Sequence, residues 1–197
     1  MGCLTVDADV IVTQLYRPGQ PGHSALIGHY GTSVLKPDQT IDRPRLAELA
    51  FTTPASARKL NELIHPLVRK EQDRLRAQVA ATHSHHDLIY VVEATMLIEA
   101  GNLDRYDRIV VVDASPDLQL VRAEGRGMGR DEAARRMSRQ LSAVDRLAHA
   151  DYILNNSGDL TEAQRSVRIL FGLLESDLAE KKRGLLKTKT PRQIGGA

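Results

Sequence analysis

Two aspartates separated by a single residue, Asp7 and Asp9, are the first side chains in this sequence that suggest chemistry. They follow residues 4–6, a short apolar run that predicts a strand. In open α/β sheets, ligands bind beyond the carboxyl ends of the strands. If the strand continues through Asp9, alternation places both carboxylates on one face, where they favour a cation or a shared proton. If the chain turns after Asp7, Asp9 instead heads the following helix as its N-cap.

A second group is a set of six arginines within residues 124–149, a helical segment with three glycines near its start. The six are Arg126, Arg130, Arg135, Arg136, Arg139 and Arg146. Phosphoryl transfer needs cations, because negative charge spreads over the oxygens of the transferred group. Arginine-rich helices are also common as solvated faces, so we expect one or two of the six to contact phosphate. The glycines suit a mobile cover over a phosphate substrate.

The elements that must position these residues alternate between strands and helices. Apolar runs at residues 88–92, 109–112 and 152–154 predict further strands, the first two buried on both faces. Helices are predicted at residues 10–16, 24–30, 43–51, 54–65, 67–79 and 160–178, with Pro66 ending or kinking the helical pattern. Helix caps are predicted at Asp42, Thr53, Ser115 and Ser142. Strands separated by helices imply βαβ units and a doubly wound α/β fold with a parallel sheet.

Composition limits the classes of protein that fit. With 197 residues, 42% of them hydrophobic, the chain is long enough for one sizeable core. No apolar run reaches transmembrane length, and the N-terminus lacks the basic region of a signal peptide. The single cysteine, Cys3, excludes an internal disulfide and fits a reducing, cytoplasmic setting.

The net charge of +2 is unevenly distributed along the chain. Residues 181–197 carry six basic and no acidic residues, so residues 1–180 sum to −4. A mildly acidic body with few aromatic residues argues against nucleic-acid binding. We expect residues 180–197 to form a basic, disordered tail. His83, His85 and His86 predict an exposed loop rather than a metal site, because no nearby cysteine or further histidine completes a ligand set.

Seven segments, in order, resemble the motifs of the dephospho-CoA kinase family, and the resemblance extends over nearly all of residues 2–175. The match includes Asp-Ala-Asp at 7–9, Pro-Asp-Gln-Thr-Ile-Asp-Arg at 37–43, Leu-Ile-His-Pro at 63–66, Thr-Met-Leu-Ile-Glu at 95–99, and the segments 107–113, 119–126 and 140–158. Two positions depart from the family pattern: Gln39 replaces the usual glycine, and Thr95 replaces the usual proline.

The resemblance implies a P-loop kinase-like parallel sheet flanked by helices, within a domain at residues 1–179. It also implies a helical substrate-binding insertion at about 42–83 and a helical lid at about 124–149. The implied reaction is the phosphorylation of the 3′-hydroxyl of dephospho-CoA by ATP with Mg²⁺, giving CoA and ADP. No membrane or nucleic-acid partner is implied.

Residue roles follow by the same resemblance. Asp9 is similar to the catalytic carboxylate that accepts the proton of the ribose hydroxyl, and Arg126 to a catalytic lid cation for the phosphates. Asp7 resembles a substrate-side aspartate near magnesium. Each residue also has a purely structural interpretation, and for Asp7 and Asp9 it is the strand-to-helix junction described above.

The remaining expected site residues are His65, Glu99 and Arg146 on the substrate side and Asn156 near adenine. His65 is equally a capped or buried histidine, and the alternative for Glu99 is a residue that caps or pairs locally. Asn156 lies in an Asn-Ser-Gly sequence that is ordinary turn chemistry.

The family's phosphate-binding loop, G-x-x-x-x-G-K-[ST], has no counterpart in the sequence, which contains no Gly-Lys pair. The sequence starts where the second strand of the family is expected, and in related kinases the first strand is central. We therefore expect two inner strands without a pairing partner and a form without activity, through a misassigned start or a truncation. The alternatives are a non-catalytic remnant that binds CoA-like ligands or a partner protein, and another small-molecule P-loop kinase. Nucleic-acid binding by the tail is a more distant alternative.

Overall fold

The computed structural model describes residues 3–82, 88–187 and 190–195, which belong to two compact units. The first unit comprises Gly2–Thr95 and the second comprises Met96–Ala197 with Met1. His83, His85 and His86, for which an exposed loop is predicted, lie outside the described residues. No helix in the described part of the chain is both long and apolar enough to cross a membrane.

The first unit combines a two-stranded parallel sheet with four helices. Its elements are β1 (Cys3–Asp7), α1 (Ala8–Leu15), α2 (Pro21–Tyr30), α3 (Arg43–Ala50), α4 (Pro54–Thr82) and β2 (Ile89–Glu93). β1 and β2 pair in register from Cys3 opposite Ile89 to Asp7 opposite Glu93. Leu26, Val34, Leu46 and Ile64 belong to its buried core, which joins α2, α3 and α4.

The predicted caps of α3 and α4 are confirmed. The Asp42 carboxylate accepts the N–H of Arg45 at 3.1 Å, and the Thr53 hydroxyl accepts the N–H of Ser56 at 3.0 Å. Each cap is followed by a proline in the first helical turn, where the missing N–H has no helical partner to lose. These short signals lie within a few residues of one another, which is why the sequence locates both helix starts.

The sequence predicts that Pro66 ends or kinks the helical pattern. The first alternative is wrong, because α4 runs through the proline over 29 residues. Proline removes one backbone hydrogen bond from a helix and strains the preceding turn. Leu60 and Ile64 before the proline are buried, and so is Gln72 after it. Packing on both sides of Pro66 therefore holds the two halves as one helix.

The second unit contains a three-stranded parallel sheet with helices on its faces. Its elements are β3 (Val110–Asp113), α5 (Pro116–Gly125), α6 (Arg130–Met137), α7 (Ala143–Ala148), β4 (Tyr152–Asn155), α8 (Leu160–Lys182) and β5 (Arg192–Ile194). The strand order is β3–β4–β5. One cluster joins Tyr152, Leu154 and Ile194 to Leu170 of α8, and another joins Val111 to Leu147 of α7.

The expectation of a disordered tail from residue 180 is wrong for the described part of that segment. α8 continues to Lys182, and β5 pairs in parallel with β4. Ile194 of β5 is only 4% exposed and packs with Leu154 and Leu170. Arg108 also donates a hydrogen bond to the carbonyl oxygen of Lys187 at 3.0 Å. The sequence does not predict this strand, because the segment is basic and Ile194 is the one apolar residue in β5.

The parallel α/β class is confirmed, but the described strands form two sheets rather than one. Among the described residues, β2 pairs only with β1, and β3 pairs only with β4. Both strands have continuous apolar sequences, which predict burial on two faces. In β3 this is wrong for Val112, which is 58% exposed, and within the described residues each of the two strands has one unpaired edge.

Candidate functional site

The two aspartates lie at the junction between β1 and α1. β1 ends at Asp7, and Asp7 Oδ1 accepts the backbone N–H groups of Asp9 at 2.7 Å and Val10 at 3.2 Å. The chain therefore turns after Asp7, as in the second of the two readings of the sequence, but the N-cap is Asp7 and not Asp9. Asp9 lies in the first turn of α1, where the helix dipole stabilises a carboxylate.

Asp9 is exposed, and hydrogen bonds restrain its backbone and one of its carboxylate oxygens. Its Oδ2 accepts a hydrogen bond from the Thr95 hydroxyl at 3.2 Å, and its backbone carbonyl accepts one from the Thr13 hydroxyl at 2.8 Å. Within the described residues, Oδ1 has no hydrogen-bond partner. An exposed carboxylate with one oxygen fixed and the other open has the geometry of a general base, which must reach its proton directly or through one water.

A positively charged side chain, Arg43, lies close to the same helix. Its guanidinium donates to the Thr13 hydroxyl at 2.9 Å and lies 5.6 Å from the centre of the Tyr16 ring. Burial raises the pKa of Tyr16 to about 12, although the charge of Arg43 acts in the opposite direction. The phenol is therefore neutral at physiological pH. Sequence reasoning assigned Arg43 no role, although it ends the Asp-Arg pair of the 37–43 segment.

His65 lies in α4 and is about half-buried. Burial lowers the pKa of its imidazole, and the nearby charge of Arg69 lowers it further. The ring is therefore neutral around pH 7, and it has no hydrogen-bond partner within the described residues. A neutral imidazole with free ring nitrogens can donate or accept a hydrogen bond, as a substrate-side residue must.

Metal binding has only partial support from the described side chains. They contain no group of three histidine, cysteine, aspartate or glutamate residues that could hold an ion. Asp7 uses Oδ1 as a helix cap, and its parallel partner in the sheet is Glu93 at the end of β2. These carboxylates are the hard oxygen ligands that Mg²⁺ prefers, and Mg²⁺ commonly binds through one or two of them together with substrate phosphates. The chemistry fits an ion that arrives with a nucleotide.

In the second unit, Glu99 and Arg146 both bind the backbone of Leu141. Glu99 Oε1 accepts the Leu141 N–H at 2.8 Å, and Arg146 Nη1 donates to the Leu141 carbonyl oxygen at 2.5 Å. The next residue, Ser142, caps α7 and exchanges hydrogen bonds with Asp145, as the sequence predicts. The structure thus brings together Glu99 and Arg146, both of which are expected to bind substrate. The group that both side chains contact is the main chain of Leu141 in the lid segment.

The other lid arginines differ in what they contact. Arg130 pairs with Glu124 at 3.2 Å and Arg136 with Glu132 at 2.7 Å, all four side chains being largely exposed. Arg126 is the C-cap of α5 and is exposed, and its guanidinium has no hydrogen bond or ion pair within the described residues. Arg126, the lid cation expected from the sequence, therefore has a charge available to an anion, and so does Arg135, which is also exposed and has no ion pair within the described residues.

Asn156 lies in the loop after β4. That loop is held by Arg122, which was not among the site residues predicted from the sequence. Arg122 of α5 donates to the carbonyl oxygens of Asn156 and Gly158, the second at 3.0 Å. The N–H of Asn156 donates to the carbonyl oxygen of Asp113 at 2.7 Å, at the end of β3. The signal for Arg122 in the sequence is its place one helical turn before Arg126.

Comparisons with known proteins bear on both units. Residues 1–162 match the family model described as dephospho-CoA kinase. A dephospho-CoA kinase from Streptomyces avermitilis is 38% identical over 167 residues, which cover 84% of this chain and 79% of that protein. Among solved structures, a protein from Thermus thermophilus aligns with a TM-score of 0.70 and 24% identity over 88% of this chain and 85% of its own. A dephospho-CoA kinase from Campylobacter jejuni aligns with a TM-score of 0.57 and 21% identity over 89% and 87%.

Proposed function

The chain belongs to the dephospho-CoA kinase family, and we propose that its site serves the phosphorylation of the 3′-hydroxyl of dephospho-CoA by ATP. The γ-phosphoryl group of ATP passes to the ribose 3′-oxygen, the hydroxyl proton leaves to a base, and the products are CoA and ADP. The match of residues 1–162 to the family model carries this proposal. A location in the cytoplasm is part of it, consistent with the single cysteine.

Asp9 is the proposed base. Its carboxylate is exposed, Oδ1 is open among the described residues, and its position is fixed by the Asp7 cap and the Thr95 hydroxyl. A base of this kind accepts the proton of the attacking hydroxyl as the bond to phosphorus forms. Asp9→Asn removes the negative charge and keeps the side-chain volume.

Arg126 is the proposed phosphate-binding cation of the lid. The guanidinium is exposed and free of carboxylates within the described residues, in contrast to Arg130 and Arg136. Cations on the transferred group stabilise the charge that spreads over its oxygens. Asn156, whose loop is held by Arg122, remains the proposed residue beside adenine.

On the substrate side, His65 is proposed to contact dephospho-CoA through its neutral ring. Glu99 and Arg146 are proposed to act there by fixing Leu141 within the lid segment, because both side chains bind its backbone. Asp7 is proposed to help hold Mg²⁺ that enters with ATP. When bound, that ion supplies charge neutralisation to the phosphates.

Residues 1–197 contain no Gly-Lys pair and hence no phosphate-binding loop of the P-loop type. That loop supplies backbone amides and a lysine to the nucleotide phosphates, a large part of catalysis in phosphoryl transfer. We propose that a polypeptide of these 197 residues binds dephospho-CoA but does not phosphorylate it at a measurable rate.

Two measurements on residues 1–197 test these proposals. Calorimetric titration compares dephospho-CoA with AMP, CMP and UMP, and dephospho-CoA is expected to bind at least tenfold more tightly. Coupled detection of ADP with ATP, Mg²⁺ and dephospho-CoA is expected to show no turnover. Preference for a nucleoside monophosphate would refute the proposed substrate. Conversion of dephospho-CoA to CoA would refute the proposed inactivity and exclude the non-catalytic alternative.

A further inference from the structure

Thr95 contacts Asp9 across 86 positions of sequence within the first unit. It follows β2 by two residues, and its hydroxyl donates to Asp9 Oδ2 at 3.2 Å. The resemblance in sequence predicts proline at this position, and a proline side chain has no hydrogen-bond donor. In this chain, the threonine hydroxyl makes the contact possible.

The hydrogen bond acts on the one part of Asp9 that is otherwise unrestrained. The backbone of Asp9 is fixed at its N–H by Asp7 and at its carbonyl by the Thr13 hydroxyl. The carboxylate of an exposed aspartate rotates readily, because its terminal torsion has broad minima. Thr95 engages Oδ2 alone, so the carboxylate is restrained while Oδ1 stays open among the described residues.

We propose that Thr95 is a positioning residue, which holds the Asp9 carboxylate so that Oδ1 accepts the hydrogen of the ribose 3′-hydroxyl. The inference rests on the proposed function, because it takes Asp9 as the base and dephospho-CoA as the substrate. Restraining a reacting group before the substrate binds lowers the entropy lost on reaching the reactive geometry. Thr95 itself contacts neither the substrate nor the transferred phosphoryl group.

Binding to two ligands tests this role without requiring turnover. Calorimetry measures the affinity of residues 1–197 for dephospho-CoA and for its 3′-deoxy analogue, which lacks only the hydroxyl that Asp9 is to contact. A hydrogen bond to a charged group favours the hydroxyl ligand by a factor on the order of 10. The wild-type chain is expected to show this preference, and Asp9→Asn to lose most of it.

The decisive variants change only the Thr95 side chain. Thr95→Val keeps the shape but removes the donor, and the preference for the hydroxyl ligand is expected to fall to about threefold or less. Thr95→Ser keeps the donor and is expected to retain the wild-type preference. Thr95 is exposed, so both variants are expected to fold, and thermal melting checks this. Thr95→Ala gives the same comparison if Thr95→Val is unstable.

The outcomes separate this inference from the proposed function. An unchanged preference in Thr95→Val, or an equal loss of affinity for both ligands, would overturn the positioning role and leave Asp9 as the proposed base. A wild-type chain that binds both ligands equally would overturn the role of Asp9 and that of Thr95 with it. A wild-type chain that binds neither ligand would overturn the proposed function itself.

Discussion

Glu99 and Arg146 hold the two backbone groups of Leu141, the carboxylate accepting its N–H and the guanidinium donating to its carbonyl oxygen. In sequence, Glu99 lies before the lid segment at 124–149 and Arg146 lies within it, and they meet at the residue before Ser142, the cap of α7. The sequence predicts that both bind substrate. The partner observed for both is the main chain of Leu141.

Removal of the Glu99 carboxylate is expected to destabilise the second unit. Glu99→Ala leaves the Leu141 N–H without its acceptor, which costs about 1–3 kcal/mol of unfolding free energy. Urea unfolding followed by circular dichroism measures the change. The control is Glu132→Ala, whose exposed pairing with Arg136 is worth less than about 1 kcal/mol. An unchanged stability combined with weaker binding of dephospho-CoA would show that Glu99 contacts the substrate instead.

Arg122 is expected to control the order of the loop at residues 156–158. Arg122→Lys cannot span the carbonyl oxygens of Asn156 and Gly158 together, because its ammonium is a compact point charge. We expect faster amide hydrogen exchange in that loop, by a factor of about 10 if roughly 1.4 kcal/mol is lost. Arg126→Lys is the control, since Arg126 has no partner among the described residues. Equal exchange in the wild type and Arg122→Lys would contradict the assignment.

Gln39 occupies a backbone conformation that suits glycine. Its φ is +66°, and the resemblance in sequence predicts glycine at this position. Left-handed geometry costs a non-glycine residue about 1–2 kcal/mol, and glycine removes that cost. Glycine also loses more conformational entropy on folding, which offsets about 0.5–1 kcal/mol of the gain. Gln39→Gly is therefore expected to raise the free energy of unfolding by up to about 1 kcal/mol.

Gly31→Ala is a control in the same unit, because it is expected to change stability in the opposite direction to Gln39→Gly. Gly31 has φ +72° and ψ −170°, a region used almost only by glycine. Gly31→Ala is expected to lower stability by about 1–3 kcal/mol. Thermal and urea unfolding of both variants test the pair. A destabilising Gln39→Gly would mean that the Gln39 side chain contributes more than its backbone strain costs.

His65 is expected to make the first unit sensitive to acid. Burial lowers the pKa of His65 below its unfolded value of about 6.5. The unfolded chain then binds the proton first, so this contribution to stability is complete above about pH 6.5 and falls as the pH drops from there towards the native pKa. His65→Gln is expected to remove this part of the acid sensitivity below about pH 6.5.

Arg69 supplies an independent check of the same effect, because its charge is the second cause of the lowered pKa of His65. Arg69→Gln is expected to raise the pKa of His65 toward its usual value and to make the loss of stability in acid smaller. Urea unfolding at a series of pH values measures both variants. An identical pH dependence in the wild type, His65→Gln and Arg69→Gln would rule out His65 as a source of the acid sensitivity.

The parts of the structure that the sequence predicts correctly are those coded by neighbouring residues. Asp42, Thr53 and Ser142 cap their helices because the capping group and the N–H it accepts lie three residues apart. The apolar runs that became β2, β3 and β4 also give a local signal, and their parallel arrangement follows from the helices between them.

The parts that the sequence does not reveal depend on contacts between distant residues. Continuity of α4 through Pro66 is decided by burial on both sides of the proline. β5 exists because Ile194 reaches a cluster with Leu154 and Leu170. At the candidate site, the bond from Thr95 to Asp9 joins residues 86 apart in the chain, and no spacing rule predicts it.

The open edges of β2 and β3 carry a consequence for handling the protein. Each presents backbone amides and carbonyls without a neighbouring strand in the described residues, and Val112 adds an exposed apolar surface. Neither strand contains the lysine or proline that commonly blocks intermolecular sheet growth. We therefore expect concentrated or warmed samples to aggregate by joining strands from different molecules, and Val112→Lys to keep them dispersed.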